Sequence, residues 1–244
     1  MLSEKPWKLD GLLRFVICLV MCVSVMLTLS AVIQHFTGAK TTEDSTALLV
    51  VNTLALDGSI LIAVFIFLRL EHITWADAFG FKTPRPGLAI LWGVIIAACF
   101  LPIGLYLNYL CTRALESFHV KAPEQQAVET LKNALPGATR VFLVFFAVVI
   151  APVAEESFFR GILYPTIKQN GFPRAALWVT SFLFAAIHAN LSAFLPLAIL
   201  ALALAILYEK TNNLLACITA HSVFNAANVL LLYLTQSPVT RPPY

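Results

Sequence analysis

The chain has 244 residues, of which 59% are hydrophobic and only 12% charged, and its mean hydropathy is +0.84. Soluble domains carry about 25% charged residues, so this composition excludes an ordinary soluble protein and leaves an integral membrane protein. The formal charge of +3 is modest and no basic stripe with interleaved aromatics occurs, so no nucleic-acid partner is expected.

About seven spans of about 20 residues would use up most of the chain. We therefore expect an all-α polytopic membrane helix bundle forming one domain over residues 1–244, with one or two interfacial helices. Lys5, Lys8 and Arg14 lead into an apolar run over 12–36. That run is longer than the roughly 7–15 residues of a signal-peptide core, so it reads as an uncleaved first span. A polar loop with Lys40, Glu43 and Asp44 follows, then a second span over 47–70 holding Asn52 and Asp57. Asp57-Gly58-Ser59 reads as a local break. Asp57 either caps a half-helix or finds a neighbouring hydroxyl, which is the preferred reading, or forms a polar wall of a cavity.

From His72 to Phe81, Ile73, Ala76 and Phe79 share one helical face and Trp75 suits an interface, so this is expected to be a short helix lying on the membrane. Pro84 and Pro86 close it. The third span, over 88–111, is expected to kink at Pro102 and Gly104. A polar stretch over 122–134 reads as a surface helix ended by Pro136-Gly137. The fourth span covers 138–168, and Asn170-Gly171-Phe172-Pro173 is a turn. The fifth apolar element, over 175–189, is short for a span. Asn190 and Ser192 interrupt the pattern behind it, so it is expected to end inside the membrane beside a protein-lined cavity. The sixth and seventh spans cover 193–208 and 214–234. The Lys and Arg distribution leans toward an N-terminus on the cytoplasmic side of the cell membrane. Cys18, Cys22, Cys99, Cys111 and Cys217 are odd in number and lie in apolar runs, so neither a disulfide framework nor a metal role is expected of them.

Four polar groups resist explanation by solvent: Glu155 with Glu156, Arg160, His188, and His221 with Asn225. Ionisable residues are expensive in hydrocarbon and mark functional sites by default. Glu156 and Arg160 are spaced i and i+4, so they share a helix face and can pair. Glu155 points about 100° away, free for a different neighbour. His221 and Asn225 also share a face. Pro152 removes a backbone donor and obstructs the Val148 carbonyl, so the helix is expected to bend beside the carboxylates. Taken singly, each group has a structural explanation as an ion pair, a packed histidine or an interhelical hydrogen bond. One water-filled pocket explains them together. A carboxylate and an imidazole can activate water as general base, and a second imidazole with an amide can stabilise the oxygen of a tetrahedral intermediate. The same groups can instead ligate zinc. Neither H-E-x-x-H nor G-x-S-x-G occurs.

Glu155-Glu156-x-x-x-Arg160-Gly161, Phe184-x-x-x-His188 and His221-x-x-x-Asn225, in this order, resemble the CPBP family of intramembrane proteases, which includes the CAAX prenyl endopeptidases. Ala151-Pro152, Tyr164 and Tyr208-Glu209-Lys210-Thr211 agree, and the likeness covers residues 140–230. The resemblance implies an endopeptidase in which Glu155 activates water with help from His188. His221 and Asn225 would form the oxyanion hole, and Glu156 and Arg160 would orient the site. It implies no required cofactor in the glutamate-type mechanism. Zinc held by Glu155, His188 and His221 is the metal-dependent alternative. The implied partners are membrane lipid and a membrane-associated or lipidated peptide. Relatives often carry glycines on the helix before the last, whereas this chain has none after Gly171. Ala198, Ala201, Ala203 and Ala205 are expected to make the close contact instead. Competing functions are a non-catalytic immunity or scaffold protein of the same fold and, ranked last, a proton-coupled transporter.

Overall fold

A computed structural model describes residues 2–38, 46–120, 126–133 and 137–235. Lys40, Glu43 and Asp44 of the first loop, the start of the stretch at 122–134, and Pro136 lie outside the described residues. All regular structure among the described residues is helical. The helices are α1 (Leu9–Thr37), α2 (Thr46–Leu54), α3 (Asp57–Leu70), α4 (Trp75–Phe79), α5 (Pro86–Ser117) and α6 (Gln126–Asn133). After these come α7 (Ala138–Gln169), α8 (Pro173–Ile187), α9 (Leu191–Thr211) and α10 (Leu214–Thr235).

Five of these, α1, α5, α7, α9 and α10, are long and apolar enough to cross a membrane. The expected second span is a broken one, in which α2 and α3 meet at a bend of 50°. The expected fifth span is α8, only 15 residues long. At 1.5 Å per residue it reaches about 22 Å, short of the roughly 30 Å hydrocarbon core. The molecule is therefore a polytopic membrane helix bundle in which one apolar element is bent and another is shorter than a full span. Outward faces are apolar because their solvent is lipid: α1 exposes Leu13, Val20, Met21 and Val25.

The core lies where α3, α7, α9 and α10 meet, with Phe67, Ala154, Ile162, Leu204, Tyr208 and Cys217 among its buried members. Helix α5 packs along α9 and α10. Its Gly93 permits this approach, since a Cβ there would stand 2.6 Å from the Ala216 carbonyl oxygen. On α9, Ala198, Ala201 and Ala205 are buried and Ala203 is half-buried, so small side chains serve there in place of glycine. The stretch around Trp75 differs from expectation. Its helix is only five residues, capped by the Thr74 side chain, and Ala78 and Phe79 are buried in protein. Phe79 sits over Gly161 of α7, where a Cβ would come within 2.4 Å of its ring. The apolar face thus docks on the helix that carries the glutamates.

Before α1 the chain lies as a strap across the ends of α4, α7 and α9. The Trp7 indole is buried and donates to Thr166 Oγ1 at 3.0 Å, and the Gln169 amide donates to the Trp7 carbonyl. Lys5 Nζ donates to the Ala78 carbonyl at 2.8 Å and stands 5.4 Å from the Tyr208 ring centre. Burial lowers the Lys5 ammonium from its ordinary value to about 8.

Candidate active site

Helix α7 is not a regular α-helix. It widens into π turns at Phe146–Ile150 and Ser157–Leu163, and Glu155 and Glu156 stand between them. Each wide turn ends two residues before a proline, Pro152 or Pro165. A proline ring clashes with the carbonyl four residues back, and an i to i+5 turn moves that carbonyl away. The expected distortion at Pro152 therefore takes the form of a π turn, a feature frequent at functional sites.

The first wide turn sets up one of the site contacts. The Ala151 N–H bonds the Phe146 carbonyl, and Pro152 has no N–H. Neither the i+4 nor the i+5 donor then serves the Ala147 carbonyl. Asn225 Nδ2, reaching across from α10, donates to it at 2.9 Å. Side chains on a helix lean toward its N-terminus, so the Glu155 carboxyl leans back toward this same turn.

Glu156 is fully buried and its Oε1 holds two partners. Arg160 Nη1 donates to it at 2.8 Å, and His221 Nδ1 lies at 2.9 Å. An arginine is always charged and 1% exposed here, so it needs full compensation. It receives this from Glu156, from the Ala201 carbonyl at 3.1 Å, and from the face of the Phe184 ring at 4.6 Å. With Glu156 ionised against Arg160, His221 Nδ1 carries the hydrogen it donates. The other ring nitrogen, Nε2, faces Glu155 Oε2 at 3.9 Å. Glu155 is 9% exposed and its Oε2 is buried with no hydrogen-bond partner. The two glutamates each keep an unpartnered Oε2, but Glu156 Oε1 is engaged by Arg160 and His221, whereas Glu155 makes no hydrogen bond among the described residues and has only the His221 ring at 3.9 Å.

His188 follows the last turn of α8. Its Nδ1 lies 2.7 Å from the Phe184 carbonyl, which can only accept, so Nδ1 is protonated and donates while Nε2 is open. Among the described residues no hydrogen bond or ion pair joins His188 to Glu155. What connects it to the site is Phe184, whose ring lies 4.9 Å from the His188 ring and 5.7 Å from that of His221. Because α8 is only 15 residues long, its end leaves His188 beside Phe184, one aromatic ring away from His221.

The structure therefore gathers Glu155, Glu156, Arg160 and His221 directly. It sets Asn225 on the turn below Glu155 and His188 beside the cluster through Phe184. One participant was not legible as such. Phe184, expected only as part of a motif, is a fully buried ring touching Arg160, His188 and His221, and its i, i+4 spacing to His188 is the only sequence sign of this. Asp57, for which a helix cap or a neighbouring hydroxyl is the preferred reading over a polar cavity wall, makes neither preferred contact among the described residues. The α3 N-cap position is Leu56, and the Ser59 hydroxyl donates to the Ala55 carbonyl. Among the described residues no three His, Cys, Asp or Glu side chains are grouped closely enough to hold a metal ion. All five cysteines are free thiols.

A buried carboxylate with an open oxygen beside the His221 imidazole is competent to hold and deprotonate a water. Residues 137–227, which contain every one of these catalytic candidates, match the family model described as Type II CAAX prenyl endopeptidase Rce1-like. No curated protein and no solved structure matches the chain. The motif order, the buried carboxylate cluster and the family match agree: residues 137–227 of this integral membrane protein are similar to the CAAX protease (CPBP) family of endopeptidases.

Proposed function

We propose that the protein hydrolyses a peptide bond of a membrane-associated or lipidated peptide within the bilayer, with Glu155 as the base. The observation that carries this reading is the buried, unpartnered Glu155 Oε2, 3.9 Å from His221 Nε2. Water held at Oε2 attacks the carbonyl carbon as its proton passes to Glu155. His188 assists through its open Nε2. In this reading His221 is an imidazolium: its Nδ1–H donates to Glu156, and its Nε2–H, together with the second N–H of the Asn225 amide, donates to the oxyanion, a contribution typically worth a hundredfold or more per donor. Glu155 then returns the proton to the leaving nitrogen as the C–N bond breaks. Glu156 and Arg160 hold the His221 ring in place. The reaction needs no metal in this reading, and the N-terminus lies on the cytoplasmic side of the cell membrane.

The test is cleavage of a membrane-peptide library by the purified protein in vesicles. Wild type is expected to cleave with or without chelator, and Glu155→Gln to lose activity while keeping its melting temperature. Chelator-sensitive cleavage overturns the metal-free mechanism. Unchanged cleavage by Glu155→Gln overturns the assignment of the base.

A further inference from the structure

We propose that Asp57 binds the substrate at this site, its buried carboxylate oxygen accepting a hydrogen bond from a backbone N–H of the peptide next to the scissile bond. The proposal rests on the protease reading above. Asp57 opens α3, immediately after the 50° break in the second apolar element. The break sets an acidic residue within a span, and α3 packs against α7 along the stretch that carries the glutamates. Glu155 and His221 lie close enough to act on Asp57 electrostatically. Its Oδ1 is buried and has no hydrogen-bond partner.

An acceptor left open away from water is costly, and hydrocarbon offers no donor to relieve it. The Ser59 hydroxyl, two residues along the chain, is committed to the Ala55 carbonyl. Asp57 Oδ1, Glu155 Oε2 and Glu156 Oε2 are each a buried acceptor without a hydrogen-bond partner. These three carboxyl groups are therefore short of donors. The attacking water supplies donors to Glu155. The remaining donors that an extended peptide brings are its backbone N–H groups. A carboxylate repels an oxyanion, so Asp57 belongs on the N–H side of the substrate rather than beside the carbonyl under attack. Glu155 and His221 bound the chemistry, and Asp57 lies within electrostatic reach of both on a helix packed against α7, which puts its N–H partner on the peptide near the scissile bond.

The experiment uses the full chain in vesicles and a membrane peptide that the wild type cleaves. A series of depsipeptides replaces each flanking amide in turn by an ester, removing one N–H at a time. Wild type, Asp57→Leu and Asp57→Asn are compared. Asp57→Leu is expected to raise KM by on the order of tenfold to a hundredfold, the range of a hydrogen bond to a charged group, with little change in kcat. Asp57→Asn retains an acceptor oxygen and is expected to recover part of the loss. One depsipeptide is expected to weaken the wild type by a similar factor and to weaken Asp57→Leu no further. Equal loss in wild type and variant for every depsipeptide overturns the proposal, and so does a lowered kcat at unchanged KM in Asp57→Asn. If Asp57→Leu fails to fold, the depsipeptide comparison between wild type and Asp57→Asn decides in the same way. Absence of cleavage by the wild type overturns the protease reading and this one with it, whereas cleavage without depsipeptide coupling overturns Asp57 alone.

Discussion

At the scale of residues, Arg160 shows how a charge can be kept within an apolar bundle. Its guanidinium meets a carboxylate, a carbonyl and an aromatic face, and all three partners are buried. Only the first was legible, because i, i+4 spacing reports neighbours on one helix. The Ala201 carbonyl and the Phe184 ring come from other helices, and nothing local in the sequence points to them. Removing one member of a buried pair leaves the other uncompensated, at a cost of about 3–5 kcal/mol. Arg160→Met is therefore expected to lower the melting temperature sharply. Arg160→Lys is not conservative, because a single ammonium on a flexible stem replaces a fixed fork of donors. The double variant Glu156→Met with Arg160→Met removes both charges and is expected to recover most of the lost stability. It does not recover cleavage, since His221 Nδ1 then has no carboxylate to hold it, and a misplacement of about 1 Å can lower a rate on the order of a hundredfold. Thermal unfolding and peptide cleavage on the same preparations separate the two effects.

At the scale of elements, α7 is the unit that had to be seen in three dimensions. The sequence marked Pro152 as a source of distortion beside the glutamates, and that much was physical: a proline lacks a donor and crowds the carbonyl behind it. The form of the distortion, a π turn with its orphaned Ala147 carbonyl answered by Asn225, depends on a helix more than seventy residues away and could not be read locally. The consequence is a rescue. Asn225→Ala leaves the carbonyl unsatisfied and is expected to cost about 1–3 kcal/mol. Adding Pro152→Ala restores a backbone N–H to that turn, so the double variant is expected to be more stable than Asn225→Ala alone. Cleavage stays low in the double variant, because the second Asn225 N–H is still missing from the oxyanion. Melting temperatures that add without coupling across the four proteins would show that Asn225 and Pro152 do not share the Ala147 carbonyl.

At the scale of the whole molecule, the long apolar runs were legible because hydrocarbon thickness dictates their length, and the broken second element and short fifth one were signalled by Asp57, Asn190 and Ser192. The strap formed by the first residues was not, since Trp7 and Lys5 look like ordinary flanks of a first span until their partners on α4, α7 and α9 are known. That strap ties the start of the chain to the helix carrying the glutamates, and its lysine makes the tie pH-dependent. The folded Lys5 titrates near 8, below its ordinary value of 10.5. Between these two values the unfolded chain binds more protons than the folded one, so raising the pH through this window stabilises the folded state. Below about pH 8 both states are protonated and the contribution is flat. Lys5→Met removes the titrating group, so the melting temperature of the wild type relative to that variant is expected to be constant from pH 6 to about 8 and to rise toward pH 10. Trp7→Ala, which removes a large buried side chain and its bond to Thr166, costs about 3–5 kcal/mol if the strap unfolds with the bundle. Much of that loss disappears if the strap opens on its own, in which case hydrogen exchange at residues 2–8 accelerates while the rest of α7 stays protected. The two outcomes distinguish a strap that is part of the cooperative fold from one that is merely laid upon it.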